Sequence, residues 1–315
     1  MNPLVTVLMP VYDTPRQLLD QAVASVLAQT FTNFELLLLD DGSSDTSTLA
    51  ALEYASLTDS RVRVFRQAHR GLTPALNTGL HLAAGNFIAR HDADDWSEKE
   101  RLERQLSFLA AHPETVIVGS AVWMHQQEGQ PLWPVEFPVA PAAVDHSFWS
   151  GNPFVHGAVL FRRKDALRVG GYRDALRCSQ DYDFFWRLSQ GGRGANLPEA
   201  LYHYRFTAGS VSTERAAEQA LAHRAARVLA AARLRGEQED VVLALQAAGA
   251  SPENSPFRSS LKQADHLMLA GSYGAAAQAY LRLLRSRPAS PLAWAKLLRL
   301  GLFQTVPAAR KVCFR

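Results

Sequence analysis

Two acidic clusters, Asp40-Asp41-Gly42-Ser43 and Asp92-Ala93-Asp94-Asp95, each directly follow an apolar strand-like run, Leu36 to Leu39 and Phe87 to Ala89. Carboxylates placed where parallel strands end face the crevice at the carboxyl edge of the sheet, where open α/β sheets bind ligands. Several in one crevice repel one another unless a cation or polar ligand joins them. Aspartates separated by one residue offer oxygens to a hard cation such as Mg2+ or Mn2+, which keeps few protein ligands and fills its shell with phosphate oxygens and water. The chemistry implied is that of an enzyme handling a metal-bound nucleotide. Either cluster alone is also ordinary turn chemistry, because Asp, Gly and Ser are favoured after a strand. Their pairing in one βαβ context is what points to a site.

The elements that must position these residues follow from periodicity. Val5 to Met9 is a short apolar strand, and Pro15 opens a helix with Leu18, Leu19, Ala22, Val23, Val26 and Leu27 on one stripe. Strand Phe34 to Leu39, a helix from near Ser44, strand Val62 to Phe65, a helix over Thr73 to Ala84 and strand Phe87 to Ala89 follow. This βαβαβαβ alternation predicts an α/β fold, Rossmann-like, with a mainly parallel sheet and helices on both faces. A helix from Glu98 to Ala111 buries Leu102, Leu106 and Leu109 and ends at His112-Pro113, and strand Val116 to Val118 continues the sheet. Residues 123 to 153 hold Pro131, Pro134, Pro138, Pro141 and Pro153 with three of the six tryptophans, a composition that predicts irregular loops carrying substrate contacts. Strand Val155 to Phe161, helix Asp181 to Leu188 and strand Leu201 to Phe206 complete this part. From Glu214 the pattern is helical, with a polar break at Ser251 to Ser255, so the expected organisation is an α/β domain over 1–213 and a helical region over 214–315.

At 315 residues, 47% hydrophobic and 20% charged, the chain has ample material for a buried core. Cys178 and Cys313 lie far apart with no metal-ligand or redox spacing. No apolar run approaches the roughly 20 residues that span a bilayer, and Met1-Asn2-Pro3-Leu4 does not begin a secretory signal. The expected location is the cytoplasm. The net charge of +3 divides unevenly: no acidic residue follows Asp265, so the last 50 residues carry +8 and the preceding 265 carry −5. Such asymmetry marks an anionic partner. Leu297, Leu298, Leu300, Leu302 and Phe303 beside Lys296 and Arg299 suggest an anionic membrane surface, with a protein partner as the alternative and no nucleic acid expected.

Val5-Thr6-Val7-Leu8-Met9-Pro10-Val11-Tyr12, Asp40-Asp41-Gly42-Ser43, Ala89-Arg90-His91-Asp92-Ala93-Asp94-Asp95 and Gln180-Asp181-Tyr182-Asp183 resemble, in order and spacing, the motifs of the family 2 glycosyltransferases. The resemblance spans residues 4 to 212. It implies a GT-A fold, a nucleotide-sugar donor, a divalent metal, Mg2+ or Mn2+, and transfer with inversion to a glycan or lipid-linked acceptor. Carried over residue by residue, Pro10 and Tyr12 border the nucleobase and Asp41 bonds the base, usually uracil. Asp92 lies by the ribose and donor sugar, Asp94 reaches the metal, and Asp95 is the alternate for either. Asp181 occupies the position of the catalytic base, and Asp183, two residues on, faces elsewhere and caps the helix.

The chain departs from the family pattern at two places. Leu76 stands where many members place an arginine before the asparagine, here Asn77, so a phosphate contact falls to Arg70 or Arg90. In Leu201 to Ser210, which resembles the closing motif, Thr207 replaces a common histidine, leaving His203 as a substitute metal ligand or a structural residue. His156 resembles the acceptor side, and Trp133 and Trp149 are the candidates for sugar stacking, whereas Phe184, Phe185, Trp186 and Leu188 read as core. Gly271, Tyr273, Ala276, Tyr280 and Pro288 match half of a tetratricopeptide repeat, about 257–290, for which an ordinary helical hairpin is the alternative. A sugar nucleotidyltransferase would share the sheet and metal-bound nucleotide, but Pro10-Val11-Tyr12-Asp13-Thr14 is not its Gly-rich basic loop. A silent scaffold binding through the helical tail is opposed by the intact Asp92, Asp94 and Asp181.

Overall fold

The computed structural model describes residues 2–126, 129–206, 215–250 and 256–305. Thr207, the 213/214 boundary, the break at 251–255, Cys313 and the basic residues Arg310, Lys311 and Arg315 lie outside them. The chain divides into two compact units, residues 1–123 with 134–204, and residues 124–133 with 205–315.

The first unit starts from four parallel strands, β1 (Val5–Val11), β2 (Phe34–Asp40), β3 (Val62–Arg66) and β4 (Phe87–Arg90), laid side by side as β3-β2-β1-β4. Every residue of β2 is buried, as expected for an apolar run covered on both faces of a parallel sheet. The crossovers are α1 (Arg16–Leu27), α2 (Thr46–Thr58) and α3 (Leu72–Leu82). α1 buries Leu19, Ala22, Val23 and Val26, the spacing of one helical face. α3 lies so close to β1 that a Cβ on Gly79 would stand 2.3 Å from Leu8 Cδ1.

Beyond β4 the sheet changes direction. The elements are β5 (Trp96–Ser97), α4 (Arg101–Ala111), β6 (Thr115–His125), β7 (Pro131–Val135), α5 (Pro141–Ser147), β8 (Leu160–Arg162), α6 (Arg163–Arg168), α7 (Gln180–Gln190) and β9 (Arg193–Arg205). β8 pairs antiparallel with β4 and with β6, and β5 pairs antiparallel with β9, giving the order β3-β2-β1-β4-β8-β6-β9-β5 with β7 on β6. The parallel half is thus the one that the βαβ alternation announced, and the other half is antiparallel.

The proline-rich stretch is only partly irregular, with Pro138 and Pro153 between elements. Pro131 and Pro134 sit in β7, which among the described residues pairs with β6 alone and so leaves one edge without ladder bonds there, and Pro141 opens α5. Edge strands and first helical turns are where a missing N–H costs least. The expected strand over Val155 to Phe161 is instead a single 3-10 turn, His156–Ala158, leading into the short β8. β9 starts at Arg193 rather than Leu201, its first half disguised by Gly194, Asn196 and Pro198.

One buried side chain ties the sheet's turning point together. Arg101 donates through Nη2 to the carbonyls of Arg90 (2.8 Å) and Val159 (3.1 Å), and through Nη1 to Ser97 Oγ (3.1 Å). It therefore clamps the end of β4 to the entry of β8 from below. Burial lowers its pKa to about 10, which still leaves it charged at neutral pH.

The second unit carries α8 (Ala216–Leu234), α9 (Val241–Ala250), α10 (Pro256–Leu269), α11 (Tyr273–Ser286) and α12 (Pro291–Thr305). Ala264, Met268, Ala276, Tyr280 and Leu284 form its interior, where Asp265 accepts from Tyr280 Oη and Lys296 Nζ, both at 2.5 Å. Among the described residues no helix is long and apolar enough to cross a membrane.

Candidate active site

The first acidic cluster builds a wall. Asp41 follows β2, and its N–H donates to Val11 O at 2.9 Å, extending the β1–β2 ladder by one rung. Its buried carboxylate accepts from Gln67 Nε2 (2.6 Å), Gly71 N (2.7 Å) and Arg70 N (3.1 Å), and lies 2.9 Å from His69 Nδ1. Both oxygens are engaged by the loop between β3 and α3, so Asp41 gathers that loop against the strand end. Gly71, at φ 93°, supplies the left-handed step into α3. His69 in turn stacks on Tyr12, with centroids 4.0 Å apart, and Tyr12 is 49% exposed. Pro10, Tyr12, Asp41 and Arg70 therefore meet at one edge, with an aromatic shelf facing outward. Asp40 turns inward, accepting Ser43 N at 2.9 Å and lying 3.2 Å from Arg66 Nε.

The second cluster is organised by Arg90, the last residue of β4, which is 1% exposed. Its Nη2 donates to Asp92 Oδ1 at 2.6 Å, while Nε and Nη1 meet no hydrogen-bond partner among the described residues. Burial opposes the charge, yet Asp92 holds the guanidinium above its usual pKa. Asp92 N donates to Tyr202 Oη at 3.0 Å. Gly157 is required at this contact, because a Cβ there would fall 2.1 Å from Tyr202 Oη and 2.7 Å from Asp92 Oδ2. Asp94 is partly exposed and Asp95 is buried.

Among the described residues no three His, Cys, Asp or Glu side chains converge as a closed metal cage. Asp92 and Asp94 present hard oxygens on partly exposed side chains, a donor set that fits a cation completing its shell with phosphate and water. His203 is engaged elsewhere: Nε2 lies 2.8 Å from Glu98 Oε1 and the ring stacks on Trp96 at 4.8 Å. Burial outweighs Glu98 and pushes its pKa down. Leu76 is fully buried.

Asp181 begins α7 immediately after Gln180, following Ser179 in a left-handed conformation (φ 54°). Its Oδ2 accepts from Asn152 Nδ2 at 2.8 Å. Burial pushes the Asp181 carboxyl above its usual range, partly opposed by the backbone N–H groups of Tyr182 and Asp181 and by Arg90, and reinforced by Asp92. Asp183 does face elsewhere, but it does not cap the helix. Its buried carboxylate takes Arg187 Nε (2.9 Å) and Arg173 Nη1 (3.1 Å), and Arg187 continues to the carbonyls of Val169 and Gly171. Asp183 is thus the anchor of α7, whereas Asp181 has no arginine partner of this kind among the described residues.

His156 Nε2 lies 3.1 Å from Tyr172 Oη. Burial and then Arg90 push the imidazole pKa well down, so it stays neutral. Tyr172 is fixed by Asn77, which bonds its N–H and its carbonyl at 2.9 and 2.8 Å. Trp149, 43% exposed, stands edge-on to Trp186 at 4.8 Å. Trp133, 5% exposed, falls in the second unit. Phe184, Phe185 and Trp186 are core. Electrostatically, Arg90 acts on Asp92, His156, Tyr172, Asp181 and Tyr202 alike, which marks the centre of the arrangement. Asn152, Tyr172 and Tyr202 were not singled out by sequence. Only the placement of Asn152 before Pro153, in the turn leading to His156-Gly157, hinted at a role.

The pattern described as Glycosyl transferase family 2 matches residues 6–171. EpsE of Bacillus subtilis (strain 168) is 33% identical over 209 residues, which cover 65% of this chain and 73% of EpsE. The amylovoran biosynthesis glycosyltransferase AmsE of Erwinia amylovora is 32% identical over 215 residues, covering 67% and 80%. In structure, the mannosyltransferase PcManGT of Pyrobaculum calidifontis, solved with GDP-Man and Mn2+, superposes with a TM-score of 0.56 at 18% identity, over 99% of this chain and 85% of that one.

The two neighbouring aspartates should respond oppositely to neutralisation. Because folding raises the Asp181 pKa, the native state binds more protons than the unfolded state, so this group's stability is present below its unfolded value and lost as pH rises through the folded one. Asp181→Asn should raise Tm at pH 7, and the gain should vanish towards pH 3.8, the ordinary value. Asp183→Asn strands two guanidiniums and should cost about 3 kcal/mol. Thermal and urea melts across pH measure both. A destabilised Asp181→Asn at pH 7 would contradict the assignment.

Proposed function

The chain belongs to glycosyl transferase family 2 and has the GT-A fold with a helical C-terminal extension, and from that premise we propose a metal-dependent, inverting hexosyl transfer from a UDP-sugar to a glycan or lipid-linked acceptor. The observation that carries this reading is the convergence of a raised, amide-held carboxylate, Asp181, with the buried Arg90–Asp92 pair. Inverting transfer needs one carboxylate on the acceptor side, separate from those beside the diphosphate. On this reading Asp181 is the first, and Asp92 and Asp94 are the others.

Each residue then has a task that its surroundings permit. Tyr12 and His69 form the shelf on which a base stacks, bordered by Pro10 and the Asp41-held loop. Arg90 lends its buried positive charge to the donor side through Asp92, and Arg70 is the exposed second cation at that edge. Asp92, fixed by Arg90 and Tyr202, aligns the ribose and donor sugar. Asp94, with Asp95 as the alternate, would hold Mg2+ or Mn2+, which would supply positive charge toward a departing diphosphate. Asp181 receives the proton of the attacking hydroxyl. Neutral His156, backed by Tyr172, and exposed Trp149 line the acceptor side.

The product we infer is a cell-surface polysaccharide or lipid-linked glycan made in the cytoplasm at the inner face of the membrane. A relative named for amylovoran biosynthesis supports this, as does the basic tail. We read residues 214–315 as a separate region containing a tetratricopeptide-like unit at about 257–290, in which Ala264, Ala276 and Tyr280 are fully buried. On α12, Leu292, Trp294 and Leu298 are exposed, Leu298 at 70%, and they are the groups available to a membrane interface. Leu300 is buried and Lys296 is held by Asp265, so neither of these contributes as the sequence pattern anticipated.

Two measurements follow. Calorimetry should show UDP binding tighter than GDP, dependent on Mg2+ or Mn2+, and lost in Asp94→Ala with the fold intact. Equal UDP affinity in chelator would reject metal bridging. Sedimentation with vesicles of anionic lipid should pellet the full chain, less so as salt rises, because each basic residue near the surface contributes about 1 kcal/mol at best. Replacing Trp294 and Leu298 by serine should weaken pelleting, and unchanged pelleting would remove the membrane from the account.

A further inference from the structure

Asp181 is oriented from outside its own helix. Asn152 lies 29 residues upstream, in the turn between α5 and β8, and its Nδ2 donates to Asp181 Oδ2 at 2.8 Å. The amide's orientation is itself determined, because Asn152 Oδ1 accepts the N–H of Phe154 at 3.2 Å. Flipping it would set donor against donor at Phe154 and oxygen against carboxylate at Asp181. The turn that carries it is anchored as well. Asn196 of β9, fully buried, donates through Nδ2 to the carbonyls of Pro153 (3.1 Å) and Pro138 (2.9 Å). Phe154 is buried against the rings of Phe148 and Phe185. A chain of buried contacts thus runs from β9 through the Asn152-Pro153 turn to the carboxylate.

We infer that Asn152 is a positioning residue for the proton acceptor, fixing the plane of the Asp181 carboxylate through Oδ2 so that the acceptor's proton is received at Oδ1. The inference rests on the reading of Asp181 as base. A neutral amide cannot take the proton itself at neutral pH, so its effect on the chemistry is orientation and preference for the ionised carboxylate. The charged and titratable groups facing Asp181 are Arg90, which favours ionisation, Asp92, which opposes it, and Tyr172, whose hydroxyl burial keeps neutral. Arg90 is hydrogen-bonded to Asp92, so its support for Asp181 is shared, and Asn152 adds a donor that carries no charge to be shared.

The test needs no substrate. In the full chain labelled with 13C-aspartate, the Asp181 carboxyl signal is identified by its loss in Asp181→Asn and followed across pH. Loss of one hydrogen bond in Asn152→Ala should raise its apparent pKa by about half to one unit. The isosteric Asn152→Asp, which keeps the acceptor for Phe154 N, should raise it further by setting a like charge against it. The acid limb of kcat should move up in step, with donor KM unchanged. Identical Asp181 titration in wild type and in both variants, or in Asn152→Asp should Asn152→Ala not fold, would overturn the inference. A shifted titration in a protein that transfers no sugar would leave the positioning intact and refute the function instead.

Discussion

A guanidinium with 1% exposure at the end of β4 is the constraint around which the centre of this protein is arranged. Taking such a charge out of water costs several kcal/mol and is tolerated only beside well-placed counter-charges. Asp92 at 2.6 Å supplies the first, and the Asp181 carboxylate feels the same field. A second buried guanidinium, Arg101, reaches the carbonyl of Arg90 itself and fixes where the first one sits. These interior cations give the second acidic cluster a part in folding as well as in any ligand contact. After burial itself, Arg90 also opposes protonation of His156, and it moderates the rise in the pKa of Asp181. The open donors of Arg90 then follow from geometry, since one Asp92 oxygen cannot satisfy every N–H of the fork.

The two walls of the crevice are built by different physics. Around the first acidic cluster, strand ends and tight loops do the work: Asp41 engages Gln67, His69, Arg70 and Gly71 of one loop, and the aromatic shelf of Tyr12 and His69 follows from that loop's path. Around Asp181, positions are set by side chains reaching across the fold. Asn77 fixes Tyr172, Asn196 fixes the Asn152 turn, and Asp183 pins α7 through two arginines. Burial that raises the Asp181 carboxyl pKa makes the ionised form costly in such surroundings.

This division also explains what could be read from the chain itself. The parallel half was legible because Leu36 to Leu39 and its neighbours are unbroken apolar runs with helical stripes between them, and both acidic clusters were legible because they follow such runs. The contrast between Asp181 and Asp183 was legible from helical spacing, although the partners of Asp183 were not. Tyr202 meets Asp92 across 110 residues and Tyr172 meets Asn77 across 95, distances at which no local pattern speaks. Pro131 and Pro134 misled because their cost depends on β7 being an edge, which is a tertiary fact. Trp133 was expected to stack on sugar and is buried, and Arg90 was expected to contact phosphate, its burial being a tertiary fact that no local pattern carries.

The central claim is that Asp181 takes the acceptor's proton in a site whose donor half works without it. Steady-state transfer, measured with the donor and acceptor that support turnover, separates the two halves by comparing kcat with donor KM in wild type and Asp181→Asn. The account predicts a fall in kcat on the order of 100-fold or more with donor KM nearly unchanged. Near-normal turnover in Asp181→Asn would contradict it.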